Sequence, residues 1–168
     1  MDPPRLPIGL HLTRTARVIS RAYDDALAAA DGSLPLWLVL MNVKVRAGAN
    51  QRALAAAVGI REATLTHHLN AMEAQGLIAR TRDPGNRRTH LVTLTDAGEA
   101  AFIRLRDATI AFDRRLRHGL SDERLAVVAA VFTQLLENVG GTEDDLAPSL
   151  GADGPPELRR HVCEAPEG

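Results

Sequence analysis

Two short helical patterns joined at a glycine, followed by a hairpin pattern, fill residues 50–95 of this 168-residue chain. Asn50 is a good N-terminal cap for a helix at Gln51–Val58. Gly59 then supplies the permissive backbone of a tight turn into a second helix at about Arg61–Gln75. The spacing therefore predicts two helices that cross steeply around one tight turn.

The second helix of this pair has an apolar and a polar side. Apolar residues of both helices form a small predicted core beneath the turn, at Leu54, Val58, Ile60, Leu65, Leu69 and Met72. The outer side of the second helix carries hydrogen-bonding side chains of modest length, which suit base edges and phosphates when a helix lies in a major groove. We predict DNA contacts from Arg61, Thr64, Thr66, His67 and Asn70.

The hairpin pattern consists of two short strands, Leu77–Arg82 and Thr89–Leu94, joined by a turn in which Pro and Gly occupy the middle positions. Arg87 and Arg88 at its tip project from the core, and a narrow minor groove attracts arginine. A charged loop tip is common by itself, but here it follows two complete helices. The stretch therefore predicts a winged helix-turn-helix that binds duplex DNA, with Arg82, Arg87 and Arg88 as contacts of the wing.

Apolar stripes on three other helices predict a second copy of the chain as a partner. The first helix runs from about Ile8 to Ala30, the fifth from Thr95 to about His118, and the sixth ends at Val139. A helix at Leu34–Arg46 is apolar almost all the way round, so we expect it at the centre of the fold. A homodimer carries two reading heads on a two-fold axis, which matches a palindromic operator.

The predicted fold is mainly α with a small β-wing, a winged helix-turn-helix plus a helical dimerisation region. Charge is uneven along it: residues 44–88 hold eight basic against three acidic side chains, and residues 140–168 hold two against seven. We expect four parts: an N-terminal dimerisation helix at 1–33, the DNA-binding module at 34–94, C-terminal dimerisation helices at 95–139, and an acidic, disordered tail at 140–168.

Several classes of protein do not fit the sequence. The single cysteine, Cys163, cannot form an intrachain disulfide, and we expect a cytoplasmic protein. The longest apolar run, residues 34–43, is too short to span a bilayer, so no membrane partner is expected. No nucleophile elbow, phosphate loop, metal cluster or pair of carboxylates at useful spacing is visible, and we therefore expect neither an enzyme nor a cofactor.

With these motifs in place, residues 8–139 resemble the MarR family of bacterial regulators. The resemblance implies a dimer with interlocked helices from both chain ends, and a recognition helix and wing in adjacent grooves. It also implies repression that is relieved by a small aromatic or phenolic anionic ligand, bound in a crevice between the dimer helices and the winged module. The matching segments are Leu54-Ala55, Val58-Gly59-Ile60, Thr64-Leu65-Thr66, Glu73-Ala74-Gln75-Gly76-Leu77-Ile78, Arg80, Asn86-Arg87-Arg88 and Leu94-Thr95-Asp96-Ala97-Gly98.

Three positions depart from the pattern of that family. Asn86 replaces an aspartate that pairs with the wing arginine two residues on, which predicts a less fixed Arg88. His68 stands where an apolar residue commonly fills the helix-turn-helix core. It is interpreted first as a half-buried, satisfied imidazole and second as a proton- or ligand-linked switch. Leu36 replaces a common glutamine just before Trp37 and changes the polarity of the presumed crevice.

Candidate ligand residues all have a second interpretation. Trp37 and Met41 are one turn apart and are more often core than ligand cage. His11 and Arg14 are candidates for an anion near Trp37 or for a solvated face, and the sequence leaves both open.

Metal and peroxide sensing are disfavoured. Adjacent His67 and His68 point about 100° apart on a helix and do not form a two-ligand site. Zinc-sensing relatives carry paired histidines in the fifth helix, where only His118 is available, and peroxide-sensing relatives carry a cysteine near the first helix, far from Cys163. The remaining alternative is an interaction adaptor, because winged helices also bind proteins. An adaptor would more often present an apolar patch than a polar, arginine-bearing face.

Overall fold

The computed structural model of the protein describes residues 7–46, 50–82 and 90–142. Within these residues the chain forms six α-helices and one two-stranded antiparallel sheet, which confirms the predicted fold class. No helix of this part is long and apolar enough to cross a membrane. The elements are α1 (Ile8–Ala28), α2 (Leu34–Val45), α3 (Gln51–Val58), α4 (Glu62–Ala74), β1 (Ile78–Arg82), β2 (His90–Leu94), α5 (Asp96–Arg117) and α6 (Asp122–Asn138).

Helix α2 is the central element, as its apolar sequence predicts. It packs against α3, α4, α5 and β2. Ser33 caps its first turn, where the Leu36 N–H donates to the Ser33 Oγ at 3.4 Å. A helix with apolar residues on every side has to be enclosed by others, and α2 meets this condition here. Its buried residues are Trp37, Val39, Leu40, Met41, Asn42 and Val43.

The turn between α3 and α4 has the local structure that its sequence predicts. The Asn50 Oδ1 accepts a hydrogen bond from the Ala53 N–H at 2.9 Å and so caps α3. Gly59 ends α3 with φ of 72°, in the left-handed region that favours glycine. The predicted core beneath the turn is confirmed, with Ile60 partly buried and the other five residues buried.

The hairpin is held against the start of α5. Its register runs from Ile78 opposite Leu94 to Arg82 opposite His90. The Thr95 Oγ1 donates to the carbonyl of Gly76 at 2.5 Å and accepts from the Gly98 N–H at 3.1 Å, so one hydroxyl both caps α5 and fixes the chain entering β1.

Helices α1 and α6 are the least enclosed parts of the described chain. Tyr23 anchors the C-terminal half of α1 on α5, because its ring stacks on Phe112 at 4.9 Å between centroids and its hydroxyl lies 3.0 Å from the Thr109 Oγ1. Helix α6 has no buried residue. Helix α1 ends at Ala28, two residues before the predicted end, and a helical turn continues to Asp31.

Candidate nucleic-acid interface

Helix α4 presents a polar outer surface centred on His67 and Asn70. Both side chains are exposed, and they lie three residues apart, so they share one side of the helix. Thr64 and Thr66 are exposed as well. Since two residues correspond to about 200° of rotation, these threonines flank the centre on opposite sides and do not share its face.

Arg61 lies at the N-terminus of this helix. It was predicted as the first helical residue, but its backbone is extended, with φ of −68° and ψ of 145°, and its carbonyl accepts the first helical bond from the Leu65 N–H at 3.0 Å. Arg61 is therefore the N-cap of α4, at the end where the first N–H groups of a helix lack intrahelical acceptors and the helix dipole is positive. Such an arrangement attracts a phosphate more strongly than a base.

Thr66 faces the first helix of the pair. Its Oγ1 donates to the Glu62 carbonyl at 2.8 Å, and the Gln51 Nε2 lies 3.4 Å from the same oxygen. The Thr66 hydroxyl proton is thus engaged within the protein. Gln51 was not predicted to be a polar group of this site. The signal available in the sequence was its position directly after the helix cap Asn50.

Asn70 is connected to the hairpin through Arg80. The Arg80 Nη2 donates to the Asn70 Oδ1 at 2.6 Å, and the Arg80 Nε donates to the Glu73 Oε2 at 2.9 Å. The Arg80 Nη2 also contacts the Glu73 Oε2. These contacts join the recognition surface of α4 to β1, a connection that was not predicted.

The wing is described only in part. Arg82 ends β1 and is exposed. The other predicted wing contacts, Arg87 and Arg88, lie outside the described residues, as does Asn86. Cys163 and the acidic segment from Glu143 onward also lie outside them.

The four predicted ligand residues lie in two different environments. Trp37 and Met41 are each 3% exposed, and the Trp37 ring stacks on Phe102 with centroids 5.5 Å apart. Both therefore pack in the core of the single chain, as the commoner interpretation expects. His11 and Arg14 are exposed on α1. Their role in ligand binding stays a prediction.

His68 is half-buried and lines a cavity of about 150 Å³ between the start of α2 and α4. The other lining residues include Ser33, Leu36 and Gln75. Ser33, His68 and Gln75 supply polar groups there, and Leu36 keeps one wall apolar. Within the described residues, no three His, Cys, Asp or Glu side chains are grouped so that they could hold a metal ion.

Comparisons with known proteins agree with this geometry. Residues 33–90 match the model of the MarR family. A putative transcriptional regulatory protein for the hcr operon of Thauera aromatica is 26% identical over 129 residues, which cover 76% of this chain and 78% of that protein. The structure of the transcriptional repressor CouR bound to a 23-mer DNA duplex superposes with a TM-score of 0.69 at 25% identity, covering 77% of this chain and 92% of that one. CouR from Rhodococcus jostii RHA1 bound to p-coumaroyl-CoA superposes with a TM-score of 0.63 at 26% identity, covering 76% and 90%.

Proposed function

We propose that this chain, a MarR-family winged helix-turn-helix transcriptional regulator, binds a palindromic operator as a homodimer and represses transcription until a small ligand releases it. Helix α4 enters the major groove, and Arg82, Arg87 and Arg88 of the wing approach the adjacent minor groove.

The exposed polar surface of α4 is the observation that carries the proposal. Its centre, His67 and Asn70, offers hydrogen-bonding groups to base edges, and Arg61 at the helix N-terminus offers a phosphate contact. The large apolar side chains that are exposed in the described chain lie on α1, α5 and α6 and on the residues that flank α6, and none lies on α3 or α4. An adaptor that bound proteins through this module would present apolar surface there, so DNA binding is favoured.

The surface of α1 and α6 supports a homodimer. Helix α6 buries no residue in the single chain, while Val128, Phe132 and Val139 are at least 43% exposed. Together α1 and α6 line an open, almost wholly apolar groove of about 540 Å³. Apolar surface of this extent is characteristic of a protein interface, and a two-fold partner covers the same surface on both chains.

Release by a ligand is the second part of the proposal. The relative that was crystallised with p-coumaroyl-CoA shows that a protein with this fold takes an aromatic acyl compound. For this chain we propose a small aromatic or phenolic anionic effector near His11, Arg14, Trp37 and Met41. Screening such compounds for release of bound DNA tests this part, and it fails if no small molecule, metal ion or change of pH weakens the complex.

A DNA-retardation titration tests the core proposal. The dimer is expected to retard DNA from upstream of its own gene, with an affinity that falls steeply with salt because phosphate neutralisation releases counterions. His67→Ala should weaken binding by about 1–3 kcal/mol through a lost base contact, and Arg88→Ala should also lower the salt slope. Arg124→Ala removes an equal charge from α6 and should change neither quantity. If both test variants bind as the wild type does, the site assignment is wrong.

A further inference from the structure

The amide of Asn70 has a fixed orientation. A guanidinium can only donate hydrogen bonds, so the amide atom 2.6 Å from the Arg80 Nη2 has to be the oxygen. The Asn70 Nδ2 has no protein partner among the described residues. The side chain therefore turns its acceptor toward β1 and keeps its two N–H donors for whatever approaches the helix.

Arg80 is itself held firmly in this position. Its Nε donates to the Glu73 Oε2 at 2.9 Å, and this bond joins two opposite charges. The Arg80 side chain is only 18% exposed, and its strand position pairs with Val92, which is fully buried. Because Glu73 lies three residues after Asn70, the guanidinium bridges two neighbouring side chains of α4 and anchors both on the hairpin.

This arrangement limits which base edges Asn70 can contact. A free asparagine reads adenine by accepting from the N6 amino group and donating to N7 at the same time. The Asn70 oxygen keeps a second lone pair, but an amino group that used it would have to enter beside the guanidinium, whose N–H groups are donors as well. Two donors that face each other repel, so the paired contact with adenine is disfavoured.

We propose that Arg80 is a positioning residue that makes Asn70 a donor-only reader of the operator, a step that rests on the proposed function. Its partners are bases with acceptors in the major groove: guanine through N7 and O6, and thymine through O4. Cytosine presents the N4 amino donor there and is rejected. Adenine offers N7 alone and is not preferred over guanine.

Selection of binding sites from a random duplex library tests the proposal. The operator position that loses its base preference in Asn70→Ala is assigned to Asn70. In the wild type this position should prefer a G·C pair, because guanine alone offers two major-groove acceptors, N7 and O6, to the two donors of the amide. Arg80→Met frees the amide oxygen and should raise the preference for adenine over guanine at the same position about tenfold or more, the discrimination of a good bidentate pair. Asn70→Asp keeps the acceptor for Arg80 without the donor, and should lose the preference as Asn70→Ala does.

A purely structural role for Arg80 would weaken binding to all sequences alike and leave the base profile unchanged, and that result overturns the proposal. A wild-type preference for an A·T pair at the Asn70 position overturns it too, as does an Asn70→Ala profile identical to that of the wild type.

One measurement does not depend on how the variants fold. In an operator that carries an A·T pair at the Asn70 position, replacing that adenine by a purine that lacks the 6-amino group should leave wild-type affinity unchanged, and a tenfold loss contradicts the inference. If the wild type enriches no sequence at all, the proposed function fails together with this inference. If it enriches an operator with an A·T pair at that position, only the inference fails.

Discussion

Gly98 of α5 lies directly against the carbonyl group of Leu77. A Cβ placed on Gly98 would stand 1.9 Å from the Leu77 oxygen and 3.0 Å from its carbonyl carbon, both backbone atoms that cannot move independently of the hairpin. The start of α5 and the chain entering β1 therefore approach more closely than any residue with a side chain allows. This contact sets the position of the wing relative to the helix that follows it.

Gly98→Ala is expected to lower the free energy of unfolding by about 1–3 kcal/mol, since overpacking against backbone forces a shift of the hairpin. The sign of this change in the free energy of unfolding is informative, because replacing glycine by alanine at an unobstructed helical position stabilises by about 0.5–1 kcal/mol. Urea denaturation followed by the fluorescence of Trp37, the single tryptophan, measures the change. Ala100→Gly, an exposed position in the same helix, should cost about 0.5–1 kcal/mol and serves as the propensity control. A more stable Gly98→Ala variant would contradict the close contact.

Asn42→Leu is expected to raise the free energy of unfolding by about 1–2 kcal/mol. Asn42 is fully buried in α2, and its Nδ2 donates to the Leu38 carbonyl at 2.8 Å. Its Oδ1 has no hydrogen-bond partner in the described part of the chain, and a buried polar atom without a partner costs about 1–3 kcal/mol. Asn42→Asp should destabilise, because it places a carboxylate in the same apolar surroundings. Destabilisation by leucine would show that the Oδ1 is satisfied after all.

Phe132→Glu should convert the proposed dimer into a monomer. Phe132 is 45% exposed and lines the groove between α1 and α6, so a carboxylate there costs little in one chain but is desolvated in an interface. Light scattering during size-exclusion chromatography gives the mass in solution. Gln134→Glu adds the same charge two residues away, on the other side of α6, and should remain dimeric. Equal masses for the wild type and both variants would place the interface elsewhere.

The stability of the fold should decrease at alkaline pH in a way that depends on Tyr23. Burial raises the pKa of the Tyr23 hydroxyl above its usual value of 10.0, and the hydrogen bond with Thr109 lowers it by less. The folded state therefore holds the proton more tightly than the unfolded state does. This contribution is fully present below pH of about 10 and is lost as the pH rises through the folded-state pKa.

Tyr23 is the only tyrosine, so the ultraviolet absorbance of tyrosinate during an alkaline titration reports this group alone. Tyr23→Phe should lower the free energy of unfolding near neutral pH by about 0.5–1.5 kcal/mol, through the lost hydrogen bond. It should also flatten the decline above pH of about 10. Titration of the folded protein at the value of a free tyrosine would contradict the burial.

Local features of this fold could be predicted from the sequence because their causes are local. Asn50, Gly59 and Thr95 act on helix ends within three residues of themselves, and each acts as expected. The apolar pattern of α2 likewise predicts its central place, since apolar side chains on every side of a helix have to be covered by other elements.

The contacts that the sequence does not predict join distant elements. The Asn70 amide and the Arg80 guanidinium lie ten residues apart and meet only because β1 packs beside α4. From the sequence, the two side chains are interpreted separately. Asn70 is predicted to contact a base, and Arg80 is part of the motif that resembles the family. The sequence also left two interpretations of Trp37 open, a core residue or a ligand contact. Its stacking on Phe102 depends on how α2 and α5 pack, which the sequence does not show.

The exposure of helix α6 also predicts that the stability of the protein depends on its concentration. A helix without a fully buried residue gains little stability from packing within one chain, and in the proposed dimer a second copy supplies the missing cover. The midpoint of thermal unfolding should then rise with protein concentration, because mass action favours the associated, folded form. Under the proposed dimeric function, dilute protein would therefore bind a two-fold operator more weakly and unfold more readily than concentrated protein.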